Sequence, residues 1–108
     1  MEDVQQLIAQ FQSLQQRNQM VAAQLDVMKA QLIETEKALE ELGKSGEESV
    51  YKSIGTILVK KPKKDVEKEL AERRGLLDAR IKGLEKELKR VDEKLQELQK
   101  NIKSKMPE

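Results

Sequence analysis

A chain of 108 residues, 38% of them charged and 37% hydrophobic, with one Phe, one Tyr and no Trp, has too little aromatic volume for an ordinary compact core. It carries the Glu/Lys/Leu/Gln profile of long helices, and its apolar residues are too regularly spaced for disorder. Without Cys there is no disulfide framework, thiol chemistry or Cys-based metal site, as in a reducing compartment.

The net charge of +1 carries no overall bias toward nucleic acid, but it is unevenly spread. Residues 1–42 hold seven acids against three bases, and residues 66–105 nine acids against twelve bases. An acidic and a basic helix in one chain suit each other as neighbours.

The opening MEDVQQLIAQ has early acids and no apolar core of a secretory leader. No apolar run approaches the roughly 20 residues that span a bilayer. The expectation is a soluble, cytoplasmic protein without a membrane partner.

From Val4, steps of three and four reach Leu7, Phe11, Leu14, Asn18, Val21, Leu25, Met28, Leu32, Thr35, Leu39 and Leu42. Asn18 and Thr35 alone interrupt the apolar run, so the spacing predicts a coiled-coil helix over 4–42. Gly43 stands where a helix-capping glycine belongs.

Residues 43–65 form a different kind of segment. After the polar turn KSGEES come VYKSIG and ILVKK, two short β-type runs about Gly55. A glycine at the first of two loop positions predicts a type II′ hairpin turn, with Ile54 opposite Ile57, Ser53 opposite Leu58 and Lys52 opposite Val59. Val50, Tyr51, Ile54, Gly55, Ile57, Leu58 and Val59 then carry more apolar surface than one hairpin can cover, on strands whose edges are open. They are the expected assembly module, joining hairpins of several copies into a shared sheet or barrel.

Pro62 follows the strands, and Asp65 is the expected N-cap of a second helix over 66–105. Its seam runs Leu70, Arg74, Leu77, Ile81, Leu84, Leu88, Val91, Leu95, Leu98 and Ile102. The two runs are each roughly 58 Å long at 1.5 Å per residue. Equal runs about a short hairpin predict one domain over 1–108, all-α in bulk: a long antiparallel coiled-coil helical hairpin with a small β-hairpin at its base.

Other motifs carry less. GKS at Gly43–Ser45 lacks the upstream glycine of a phosphate loop, since Ala38 stands there, and a helix precedes it where a strand should. KKPKK at 60–64 is short and has no stacking aromatic beside it but Tyr51; lysines and a proline also protect a strand end from unwanted pairing. No nucleic-acid partner is expected. The carboxylates lie along solvated helical faces, EE at 40–41 included, and no His or Cys is available for acid–base work. No catalytic residue, metal or cofactor is expected, and the chain reads as no enzyme.

The order of these elements resembles the β-type subunits of archaeal prefoldin. A Gln-rich heptad helix, ALEEL at 38–42, the single hairpin VYKSIGTILVK at 50–60 and a second heptad helix cover nearly the whole chain. The resemblance implies a platform in which hairpins of two α-type and four β-type subunits form an oligomeric β-barrel carrying six coiled-coil tentacles. It implies a co-chaperone whose tentacle tips hold unfolded client proteins, without ATP, and pass them to a group II chaperonin.

The residues at that tip are Val4, Leu7, Ile8, Phe11, Leu14, Val91, Leu95, Leu98, Ile102 and Met106. Most are seam residues first. A two-stranded seam nevertheless leaves large side chains partly exposed, Ile8 and Met106 lie off it, and adaptable apolar groups such as Met suit promiscuous surfaces. The Gln run from Gln5 to Gln19 adds a neutral surface about Phe11. Gly75 and Gly83 weaken the second helix, permitting either bending or nothing beyond tolerance. The competing reading is a structural coiled-coil tether without client binding, which would not keep a denatured enzyme from aggregating.

Overall fold

The computed structural model describes residues 3–106. Their element order is α1 (Val4–Lys44), β1 (Ser49–Ile54), β2 (Ile57–Pro62) and α2 (Lys63–Lys105). The chain divides into two compact units, Met1–Val27 with Ile81–Glu108, and Met28–Arg80. Each takes one segment from each helix: the start of α1 with the end of α2 in the first, the reverse in the second. That is antiparallel pairing, as the two equal heptad runs predict.

α1 opens on a reciprocal cap. Asp3 Oδ1 accepts the Gln6 backbone N–H at 2.8 Å, and the Asp3 N–H donates back to Gln6 Oε1 at 3.3 Å. Two otherwise orphaned donors of the first turn are thereby satisfied. In the first unit Leu7, Val21, Leu25, Ile81, Val91 and Leu98 are buried, all of them positions of the two heptad seams. Leu98 keeps 3% of its surface exposed. Asn18, the polar seam position, is half-buried and donates from Nδ2 to Asp92 Oδ1 at 2.6 Å. A polar residue with a fixed partner on the other helix opposes sliding of the register. Arg17 pairs with Glu87 next to it.

In the second unit Leu77 is buried, and so is Thr35. The Thr35 hydroxyl donates to the Gln31 carbonyl of its own helix at 2.8 Å, so this polar seam residue needs no partner across the seam. Arg74, the polar position of the α2 seam, is exposed.

α1 ends differently from the expectation. The helix runs through Gly43 to Lys44, and Gly43 has no positive φ, so it is not a left-handed cap. The Ser45 N–H instead reaches both the Glu41 carbonyl at 3.1 Å and the Leu42 carbonyl at 3.2 Å. At the other junction α2 begins at Lys63 rather than Val66. Asp65 therefore lies in the first turn, not at the cap, where its charge still favours the positive end of the helix dipole. The Lys63 N–H donates to the Glu48 carbonyl at 2.8 Å and its Nζ to the Ser45 carbonyl at 2.6 Å. These two bonds tie the start of α2 to both ends of the 45–48 loop.

The hairpin has the expected register, with Ile54 opposite Ile57, Ser53 opposite Leu58 and Lys52 opposite Val59. Gly55 has φ +59°, and among the described residues no non-glycine has positive φ. Positive φ at the first loop position alone is the signature of the type II′ turn.

Candidate functional site

Pleating sends alternate residues of a strand to opposite faces. Paired with the register, this places Val50, Lys52, Val59 and Lys61 on one face, and Tyr51, Ser53, Leu58 and Lys60 on the other. The first set is half-buried and the second exposed. Tyr51 is 68% and Leu58 69% accessible, and at the tip Ile54 and Ile57 keep 47% and 59%. Of the seven residues expected to assemble, Val50 and Val59 are half-buried and the other five exposed. The sheet has two strands, so both outer edges carry unpaired backbone donors and acceptors.

The half-buried face is held by charge. Lys52 Nζ donates to Glu69 Oε2 at 2.8 Å, and Lys61 Nζ lies 3.5 Å from Glu69 Oε1. The hydrogen bond from Lys52, then the charges of Lys52 and Lys61, hold the Glu69 carboxyl below its ordinary pKa. A lowered carboxylate pKa means that these pairs are complete above the ordinary carboxylate range. They are lost only as pH falls through the lowered value. A cleft beside this contact is lined by Tyr51, Lys52, Val66, Glu69, Leu70 and Arg73.

The ten residues expected to bind clients all lie in the first unit, and they separate by burial. Leu7, Val91 and Leu98 are buried in the seam. Val4, Phe11, Leu14, Leu95 and Ile102, also seam positions, are half-buried. Ile8 and Met106 are exposed, at 37% and 54%. From Val4 to Leu25 the only charged residue is Arg17, and Glu87 engages it. The apolar side chains of this segment thus stand among Gln, Ala and Ser.

Sequence reasoning missed Met20, Val27, Ile33 and Leu76, all exposed. Each lies off the heptad seam, so a search for apolar residues outside that period would have found them. It also missed Glu69, one of many acids on α2, which only the strand register and the strand-to-helix contact single out. Among the described residues, no group of three His, Cys, Asp or Glu side chains is placed to hold a metal ion. No helix among them is long and apolar enough to cross a membrane.

Comparison with known proteins agrees with this architecture. The sequence profile of the family described as "Prefoldin subunit" matches residues 5–108. The prefoldin subunit beta of Archaeoglobus fulgidus is 44% identical over 102 residues, 94% of this chain and 88% of that one. That of Thermococcus onnurineus is 38% identical over the same length, 94% and 88% of the two chains. The crystal structure of the prefoldin beta subunit from Thermococcus strain KS-1 superposes with a TM-score of 0.84 at 37% identity, covering 94% of this chain and 90% of the other. A family profile over nearly the whole length, with the hairpin register and paired helices to match, makes this chain a member of the prefoldin subunit family.

Proposed function

We propose that the chain captures non-native polypeptides at its helix ends, without ATP, and delivers them to a group II chaperonin. It does so within an assembly built through the hairpins, two α-type subunits with four β-type copies, in the cytoplasm. Membership of a chaperone family supports the general role. The observation that carries the client-binding part is the apolar surface left open in the first unit. Ile8 and Met106 stand exposed beside half-buried Phe11, Leu14, Leu95 and Ile102, in a helix segment almost without charge.

The burial pattern refines the roles. Leu7, Val91 and Leu98 hold the seam, and the contact surface falls to its half-buried positions and to Ile8 and Met106 beside it. Burying a large apolar side chain is worth roughly 1.5–3 kcal/mol, so partial burial of a few gives weak affinity per subunit. Several subunits acting on one client multiply that through effective concentration. No cofactor enters this reading.

The test is suppression of aggregation when a denatured enzyme is diluted into buffer. Removing residues 1–11 and 96–108 should abolish protection while the assembled mass, less the deleted residues, persists. That deletion also removes buried Leu7 and Leu98, so a surface pair, Ile8→Ser with Met106→Ser, separates lost surface from lost fold. It should reduce protection partially at unchanged helicity. An intact assembly that never protects would instead favour a structural tether.

A further inference from the structure

We propose that Glu69 is the positioning residue that fixes the hairpin on the helix pair, and so decides which hairpin face is offered for assembly. The inference rests on hairpin-mediated assembly as read above. Its basis is the way one carboxylate divides between two strands: Oε2 takes Lys52 of β1 at 2.8 Å and Oε1 faces Lys61 of β2 at 3.5 Å.

The hairpin from Ser49 to Pro62 contains three lysines and no acid. Among the described residues, no carboxylate other than Glu69 pairs with any of them. At its base the hairpin is tied through the backbone by Lys63 to Glu48 and by Lys63 Nζ to the Ser45 carbonyl. Those bonds restrain the base; beyond it, Val50 and Val59 are half-buried, and among the described residues Glu69 is the one charged contact that reaches both strands. Lys52 and Lys61 sit on the same face in neighbouring rungs, paired with Val59 and Val50 respectively. A single acid gripping both strands therefore adds a directional clamp to that apolar contact and keeps this face toward α2. Tyr51 and Leu58 are left outward as a direct consequence of the two-residue period of the strands.

An exposed ion pair adds little to the stability of a fold. Its effect here is on the fraction of chains whose hairpin is correctly aimed, because the apparent affinity of a partner is reduced by the fraction that is not. Loss of the clamp should thus weaken assembly without unfolding the helices.

The experiment uses the full chain, free and co-expressed with an α-type prefoldin subunit. Tyr51 is the only Tyr and there is no Trp, so time-resolved anisotropy of the free chain, its fast local component separated from overall tumbling, reports on the hairpin. Glu69→Gln should lower that anisotropy in the free chain at unchanged circular dichroism and Tm. In sedimentation dilution series it should raise the concentration at which the assembly dissociates by roughly three- to tenfold. The triple exchange Lys52→Glu, Lys61→Glu, Glu69→Lys should restore both readings. Unchanged anisotropy and dissociation in Glu69→Gln, or failure of the exchange to restore them, overturns the clamp. Ile54→Asp with Ile57→Asp is the control for the reading beneath it: if that variant assembles normally, hairpin assembly itself falls, whatever Glu69 does.

Discussion

In the helices, Leu7, Leu25, Leu77, Ile81 and Leu98 keep no more than 6% of their surface exposed, whereas in the hairpin Tyr51, Ile54, Ile57 and Leu58 keep 47% to 69%. The side chains are of similar size and polarity in both places. The difference is in what the chain itself can supply. A heptad seam finds its complement on the other helix of the same chain, so its best-covered positions are buried within one molecule. A two-stranded sheet has no second layer, and a hairpin alone in water is marginal. Four apolar side chains left open, at roughly 1.5–3 kcal/mol each when fully buried, are the free energy on which the proposed assembly would draw. The helices hold the fold together, and the hairpin is left with the open surface on which the proposed assembly rests.

The strongest way to break that contrast is to charge the hairpin tip. Replacing Ile54 and Ile57 with Asp places two ions where the proposed interface closes, at a cost of several kcal/mol per ion. Native mass spectrometry should lose the assembled mass while circular dichroism stays strongly helical, because the seam is untouched. Retention of the full mass would remove the hairpin from assembly.

The next largest effect lies on the seam. Leu98→Ala should cost about 2–4 kcal/mol in chemical denaturation, in the range for truncating a buried leucine. Ile8→Ser, at a more exposed position of the same unit, should stay within about 0.5 kcal/mol, as surface changes do. Equal losses at the two sites would mean that the seam and the proposed client surface are not distinct.

Much of this contrast was legible in the sequence. The hairpin register follows from one glycine at the first of two loop positions, since that spacing admits a single pairing. The helix pair follows from two runs of equal length at a 3.5-residue period. The helix ends did not follow. Gly43 continues the helix because hydrogen bonding extends to Ser45, and the start of α2 is set by Lys63 bonding back to Glu48 and Ser45, contacts between segments that no local signal encodes. The division within the candidate client surface was equally hidden. Leu7 and Phe11 occupy successive seam positions and look alike in a heptad count, yet Leu7 is buried and Phe11 half-buried. Leu14, the next seam position, is half-buried as well, so residue type does not decide coverage along the seam.

Asn18 offers a smaller, sharper test within the seam. Its bond to Asp92 fixes register at the expense of apolar burial, as polar seam residues do. Asn18→Leu should raise stability by about 1 kcal/mol, less than a fully buried leucine would contribute because the site is only half-covered. Asp92 is exposed, so its carboxylate returns to water at little cost. Hydrogen exchange along both helices should broaden if register was what the bond secured. A destabilised variant would contradict that role.

The smallest effects are expected at the two glycines of α2, and they bear on whether the helices must bend to work. Gly75 and Gly83 are exposed and lie in continuous α-helix without positive φ. A Cβ added at either meets nothing within 4 Å. Alanine therefore introduces no clash, and it removes the extra backbone freedom of glycine in the unfolded chain. Each substitution should stabilise the helix by up to about 1 kcal/mol, read as a shift in the denaturation midpoint. The open surroundings are sufficient reason for glycine to be tolerated at these sites. The double variant should accordingly protect a denatured enzyme as well as the parent does. Stiffer helices with diminished protection would reverse that assignment, because stability and capture would then have moved in opposite directions through a change that touches no client-facing side chain.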